Sequence, residues 1–138
     1  MKIEPYLMFD GNCAEAFAYY TQHLGGNVVF SMKYSQAPES ENLPPEMGDK
    51  IMHASIVIDG HTLMGSDAMS EQCPYEKPRG ISLALSPSSL AEAERIFAAL
   101  SDGGEVQMPL AQTFWALRFG TCTDRFGIPW MVNLEQES

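Results

Sequence analysis

The 138-residue sequence predicts an α+β chain built from two tandem βαβββ modules, and three observations carry that expectation. Ala14-Glu15-Ala16-Phe17 opens a helical stretch that closes on Gly25-Gly26, and Ala91-Glu92-Ala93-Glu94 opens another that closes on Gly103-Gly104. Glu92 follows Glu15 by 77 residues and Gly103 follows Gly25 by 78, a repeat with one residue of slip. Asp59-Gly60-His61-Thr62-Leu63-Met64 then matches Phe126-Gly127-Ile128-Pro129-Trp130-Met131 at an offset of 67, so the first half carries the longer internal loop. A repeat this long implies two copies of one module around a shared surface.

Ile3 to Phe9 is short, apolar and aromatic and ends at Asp10-Gly11, which reads as a strand meeting a turn. Asn12 is placed to cap a helix, with Glu15 reaching back as in a capping box. Ala16, Tyr19, Tyr20 and Leu24 fall at helical spacing and form its expected buried stripe. Gly25-Gly26 stops the helix, and Asn27 to Lys33 reads as the second strand. Residues 34–50, with Pro38, Pro44 and Pro45, are too proline-rich for a regular element. Ile51 to Ile58 and His61 to Ser66 make a hairpin across Asp59-Gly60, a pair that tolerates the positive backbone angles of tight turns.

Residues 67–79 read as the linker between a module at about 3–66 and one at about 80–134, the two making a single domain over 1–138. Ile81 to Leu85 is the next strand. Ser89 and Glu92 form a second capping box, and Leu90, Ala93, Ile96, Phe97 and Leu100 supply the apolar face of the second helix. Glu105 to Met108 is a short strand, and Phe114 to Thr121 pairs with Ile128 to Leu134 across Phe126-Gly127. Each sheet of four strands should carry its helix on the convex side, leaving the concave side as a pocket or a partner surface.

Eighteen acidic and eight basic side chains give a formal net charge of −10, which argues against nucleic acid and anionic membranes as partners because both would be repelled. The basic residues are scattered rather than clustered. No apolar run approaches membrane-spanning length and Met1-Lys2-Ile3-Glu4-Pro5 lacks a secretion pattern, so a cytoplasmic protein is expected. Cys13, Cys73 and Cys122 are odd in number and form no close pair, which suggests neither disulfides nor a thiolate zinc site.

Several strings resemble the PhnB family of the vicinal oxygen chelate superfamily. They are Pro5-Tyr6-Leu7-Met8-Phe9, Gly25-Gly26, Met52-His53-Ala54, Ser66-Asp67-Ala68-Met69, Thr113-Phe114-Trp115-Ala116, Phe119-Gly120 and the long run Thr123 to Asn133. The resemblance implies curved mixed sheets around a concave cavity, the glyoxalase-type fold, and a homodimer. It leaves function open, because one fold hosts many chemistries.

Metal-using members of that superfamily take ligands from the first and last strand of each module. Laid on this chain, the pattern falls near Pro5, Gly65, Ile81 and Met131, none of which offers the carboxylate or imidazole donors that divalent ions need. A shift of one residue gives Tyr6 or Glu4, Ser66 or Met64, Ser82 or Gly80, and Val132 or Trp130, still no plausible set. The expectation is a metal-free pocket with no cofactor. An alternative metal set is His53, His61 and Asp67 around one hairpin.

His53 is the candidate general base or hydrogen-bond donor, and Asp67 the carboxylate to orient it or to anchor a ligand. Each has a plainer reading, as a strand histidine and a turn-capping carboxylate. Phe114 and Trp115 begin the most family-like strand, where one should face the concavity and stack on a ligand. Arg118 is the best available partner for an anion, since a guanidinium grips two oxygens. Asn133 is polar in an otherwise apolar last strand and either donates to a ligand or pairs with backbone. Asp124-Arg125 reads as structural.

The resemblance brings a methyltransferase label that the residues do not support: Asp10-Gly11-Asn12 and Ser86-Pro87-Ser88 are not the glycine-rich strand-to-helix turns that admit a nucleotide cofactor. Two classes remain. One is a metal-independent enzyme in which His53 or Asp67 moves a proton on a small, partly apolar substrate. The other is a non-catalytic module that sequesters an aromatic or apolar compound, as the bleomycin-binding relatives do by resemblance.

Overall fold

A computed structural model describes residues 1–38, 44–68 and 74–136 and divides the chain into two compact units, Met1–Glu76 and Lys77–Ser138. The first unit runs β1 (Tyr6–Phe9), α1 (Cys13–Leu24), β2 (Asn27–Lys33), β3 (Ile51–Ile58) and β4 (His61–Asp67). Its sheet has the order β1-β4-β3-β2, with β1 parallel to β4 and the other pairs antiparallel. The second unit repeats this with β5 (Leu83–Leu85), α2 (Leu90–Ser101), β6 (Glu105–Ala111), β7 (Ala116–Thr123) and β8 (Pro129–Glu135), in the order β5-β8-β7-β6. The α+β class and the βαβββ order in each unit are as expected from the repeat.

Differences from the sequence reading have local causes. The strand expected from Ile3 begins only at Tyr6, and the one expected from Ile81 begins at Leu83. β6 extends past Pro109 to Ala111, which its edge position permits because an edge strand has one row of N–H groups without ladder partners. β7 begins at Ala116 rather than Phe114, because the Thr113 hydroxyl accepts the N–H groups of Trp115 and Ala116 at 3.3 and 3.0 Å and folds Phe114-Trp115 into a bend. The described part of the excursion at 34–50 contains two short 3₁₀ turns, Tyr34–Gln36 and Pro45–Met47, and 39–43 lie outside the described residues. Of the expected linker, Asp67 belongs to β4 and 69–73 lie outside the described residues.

Each helix packs on one face of its own sheet. α1 buries Cys13, Ala16, Phe17 and Tyr20, a stripe rotated from the expected one, with Tyr19 and Leu24 only half-buried. α2 buries Ala93, Ile96, Phe97 and Leu100, and Leu90 is left exposed. The glycine pairs do more than stop helices. A Cβ on Gly26 would overlap the carbonyl oxygen of Val57, and one on Gly104 that of Thr123, so in both units the chain leaving the helix presses against the hairpin strand.

The caps diverge. Ser89 accepts the N–H of Glu92 at 3.1 Å as expected, while the Glu92 carboxylate takes the N–H and hydroxyl of Ser88. These bonds hold the Glu92 carboxyl below its usual range. Asn12, by contrast, makes no side-chain cap. The first-turn N–H of Cys13 is taken at 2.9 Å by Asp67, a residue 54 positions away on β4.

Candidate functional site

Side chains alternate across a strand, so the register sorts each sheet into a helix-covered face and an open one. In the first unit Leu7, Phe9, Ala54, Ile56 and Gly65 lie under α1; a Cβ on Gly65 would come within 2.9 Å of Phe17 Cζ. The open face therefore carries Phe30, Ser55, Met64 and Tyr6 in one row across the strands, with Met32, His53, Ser66 and Met8 in the next.

One side-chain constellation stands out on it. Tyr6 Oη and His53 Nδ1 lie 3.0 Å apart, a hydrogen bond that joins β1 to β3 across the intervening β4. The two rings are nearly parallel, with centroids 5.6 Å apart and planes 18° apart. Phe30 from β2 flanks the imidazole at 5.6 Å between centroids. His53 is half-buried, whereas Tyr6 and Phe30 are 44% and 45% exposed, so the constellation presents an open aromatic surface around one imidazole.

The open face of the second unit holds Met108, Thr121, Met131 and Ala84 in the matching row, then Ala111, Phe119 and Asn133. Phe119 thus stands where His53 stands in the first. Trp115 packs on Phe119 at 5.3 Å between centroids, and Phe114 packs edge-on against Trp115 at 4.7 Å. Phe114 is 90% exposed. The carbonyl of the Asn133 amide is enclosed and has no hydrogen-bond partner among the described residues. Phe119 was missed in the sequence, although strict alternation from Gly120 assigns it to the open face.

Asp67 does not orient His53. It is 1% exposed, with one carboxylate oxygen on the Cys13 N–H and the other on the Ile51 N–H at 2.8 Å, so it ties β4 to α1 and β3. Both oxygens are engaged by the fold. Arg118 shares the strand parity of Gly120, whose Cβ would meet Phe97 of α2, and so lies on the helix side rather than the open face. Its guanidinium donates to the Leu117 carbonyl at 2.7 Å. Asp124 is structural as expected, accepting the N–H groups of Phe126 and Ile128 and the Trp130 indole N–H.

The alternative metal set also comes apart. His61 sits beside Ile58 at the hairpin tip, while His53 is five residues back along β3, a separation of roughly 16 Å at strand rise. Among the described residues no three His, Cys, Asp or Glu side chains are grouped to hold an ion. The positions read from the superfamily pattern do not all face the open side either: Gly65 lies under α1 and Ile81 precedes β5. On the strands that pattern uses, alternation gives the open face Tyr6, Met8, Thr62, Met64, Ser66, Ala84, Pro129, Met131, Asn133 and, at the exposed end of β8, Glu135. Glu135 is the one carboxylate in that set, and with hydroxyls, thioethers and an amide as its company it does not make the multi-carboxylate or imidazole donor set a divalent cation needs.

Paired sheets of this βαβββ order define the vicinal oxygen chelate class. The likeness extends to the fosfomycin resistance protein FosX from Listeria monocytogenes, solved with Mn(II) and a dihydroxypropylphosphonic acid. That structure superposes with a TM-score of 0.68 at 11% identity, covering 99% of this chain and 93% of that one, which shows the fold alone. Within the class, the family described as 3-demethylubiquinone-9 3-methyltransferase matches residues 1–133, and the chain belongs to this PhnB-like family. Protein PA1353 from Pseudomonas aeruginosa is 51% identical with a TM-score of 0.89, covering 99% of both chains. A Bacillus cereus protein titled putative 3-demethylubiquinone-9 3-methyltransferase, PhnB protein, is 26% identical with a TM-score of 0.79 over 97% of this chain and 99% of that one. Among the described residues no helix is long and apolar enough to cross a membrane.

Proposed function

We propose that the chain binds a small, partly apolar molecule on the open face of its first sheet, and that His53 exchanges a proton or hydrogen bond with the polar end of that molecule. The Tyr6–His53–Phe30 constellation carries this reading. One imidazole nitrogen is held by Tyr6, and the other has no partner among the described residues and is available to a ligand. The flanking rings supply apolar area, and methionines Met8, Met32 and Met64 are polarisable neighbours that adapt to irregular shapes. The proton-moving role is assigned to His53 alone, without Asp67. It does not route through a metal, since the residues on the open faces do not fit one, and the absence of a glycine-rich turn at β1–α1 or β5–α2 speaks against nucleotide-dependent methyl transfer.

A thermal-shift screen with planar aromatic compounds tests this. A ligand at a hundred times its Kd stabilises the fold by about 2.7 kcal/mol. The expected result is stabilisation that His53→Ala abolishes and Trp115→Ala leaves in place. No stabilisation by any aromatic compound contradicts the reading.

Exposed Phe114 and the Trp115–Phe119 pair favour a second reading, sequestration without chemistry, because this platform has no titratable group in its row. Binding that survives His53→Ala and disappears in Trp115→Ala selects it. A homodimer belongs to the proposal as well: edge strand β2 exposes Val28 and Val29 at 49% and 58%, apolar area that pairing with a second copy would cover. Light scattering reading a single chain mass at micromolar concentration contradicts that part. The buried free thiols of Cys13 and Cys122 suit a reducing, cytoplasmic setting.

A further inference from the structure

Resting on the reading of this face as a binding surface, we infer that Tyr6 is its specificity-determining residue: by donating its hydroxyl proton to His53 Nδ1 it fixes the imidazole as the Nε2–H tautomer. The face then takes a neutral, planar molecule that presents a hydrogen-bond acceptor, a carbonyl oxygen or an aromatic ring nitrogen.

The geometry permits two arrangements of the proton between Tyr6 Oη and His53 Nδ1 at 3.0 Å. Acid and base strength decide between them. A phenol is a far stronger acid than a neutral imidazole N–H, and an imidazole nitrogen is a far stronger base than a phenol oxygen. The bond is therefore stronger with Tyr6 as donor, which leaves the single ring proton on Nε2. Nε2 then faces a ligand as a donor.

Charge narrows the class further. The two open-face rows around His53 hold rings, thioethers and hydroxyls, and none of their residues is lysine, arginine, aspartate or glutamate. An anion would leave water for a face without a compensating cation, on a chain of formal net charge −10. A cation would bring donors against a donor. A neutral acceptor satisfies Nε2–H while its flat body lies against Tyr6 and Phe30, rings that are nearly half exposed. In the enzymatic version of the proposal, a carbonyl held this way is polarised by the Nε2–H, and no oxidant or second substrate is involved.

Long-range ¹⁵N–¹H spectra of the wild-type protein read the His53 tautomer directly, and three probes of one shape read the selectivity: quinoline, naphthalene and 1-naphthoate. The expected results are a proton on Nε2 and quinoline binding about fivefold to tenfold tighter than naphthalene, the worth of one net hydrogen bond. Naphthoate should bind more weakly than either. In Tyr6→Phe the ring samples both tautomers, so the quinoline preference should fall to about twofold or less while naphthalene binding is unchanged. A proton on Nδ1 in the wild type overturns the inference whatever the variant does. Equal binding of quinoline and naphthalene removes the donor assignment while the apolar surface stands; failure of all three probes to bind removes the surface as well.

Discussion

The two units share a scaffold and differ in what they place on it. Both press a glycine against a hairpin carbonyl, both lay a helix over one sheet face, and both leave the other face open. In the first unit the second row of the open face holds His53, bonded to Tyr6; in the second the same position is Phe119, packed against Trp115. Duplication preserved the positions that hold backbone to backbone, where geometry leaves little freedom. The open-face positions differ: one sheet carries an imidazole at the centre of its rows, and the other carries Phe119 there, beside Trp115 and Asn133.

The shared scaffold is broken most severely at the glycines. Gly26→Ala and Gly104→Ala should each cost about 3 kcal/mol or more in urea unfolding, since the added methyl collides with backbone rather than with a side chain that can move aside. Equal losses support equivalent roles. A neutral result at either position breaks the comparison.

The helix caps should separate the units. Asp67→Ala leaves the buried N–H groups of Cys13 and Ile51 without acceptors and should cost about 3 kcal/mol. Ser89→Ala removes one exposed cap bond and should cost about 1 kcal/mol. Equal losses would mean that the long-range cap of α1 is no more consequential than the local cap of α2.

Alkaline pH sharpens the contrast in a smaller way. Burial, and then the charge of Asp67, push the Cys13 thiol up to about 12; burial, and then Asp124, push Cys122 up to about 11. Each thiol has a raised folded-state pKa, so its stabilising contribution is complete below its ordinary value of 9.0 and is lost as pH rises through the folded value. Unfolding free energy should therefore fall between pH 9 and pH 11, and Cys13→Ala should flatten that fall at least as much as Cys122→Ala. Unchanged slopes in both variants contradict this. The smallest stability effect is expected at Tyr6→Phe, under about 1 kcal/mol because the hydroxyl is exposed, so any loss of binding there is not a loss of fold.

Much of the fold was legible because its signals are local. Asn27–Lys33 and Ile51–Ile58 are bounded as read, and Asp59 and Gly60 adopt the positive φ angles of 49° and 81° that their pairing suggested. What escaped depends on contacts distant in sequence. Asp67 caps α1 from 54 residues away, so nothing around Asn12 revealed that its own cap was redundant. Phe114 and Trp115 looked like strand residues until Thr113 turned the chain beneath them. His53 was legible as the candidate imidazole, but its partner was not: Tyr6 lies 47 residues earlier and meets it only because β4 inserts between β1 and β3. Arg118 lies on the helix side rather than the open face because strand parity is set by the bulge at the start of β7, which the sequence did not reveal.

The central claim is that the proton-bearing pair of the first unit, rather than the aromatic row of the second, meets the ligand. Titrating the isotopically labelled chain with quinoline and following imidazole and amide resonances tests it most directly. The account predicts saturable shifts of the His53 ring resonances together with the Phe30 and Met64 amides. A His53 ring that stays unmoved while Trp115 and Phe119 shift to saturation would contradict it.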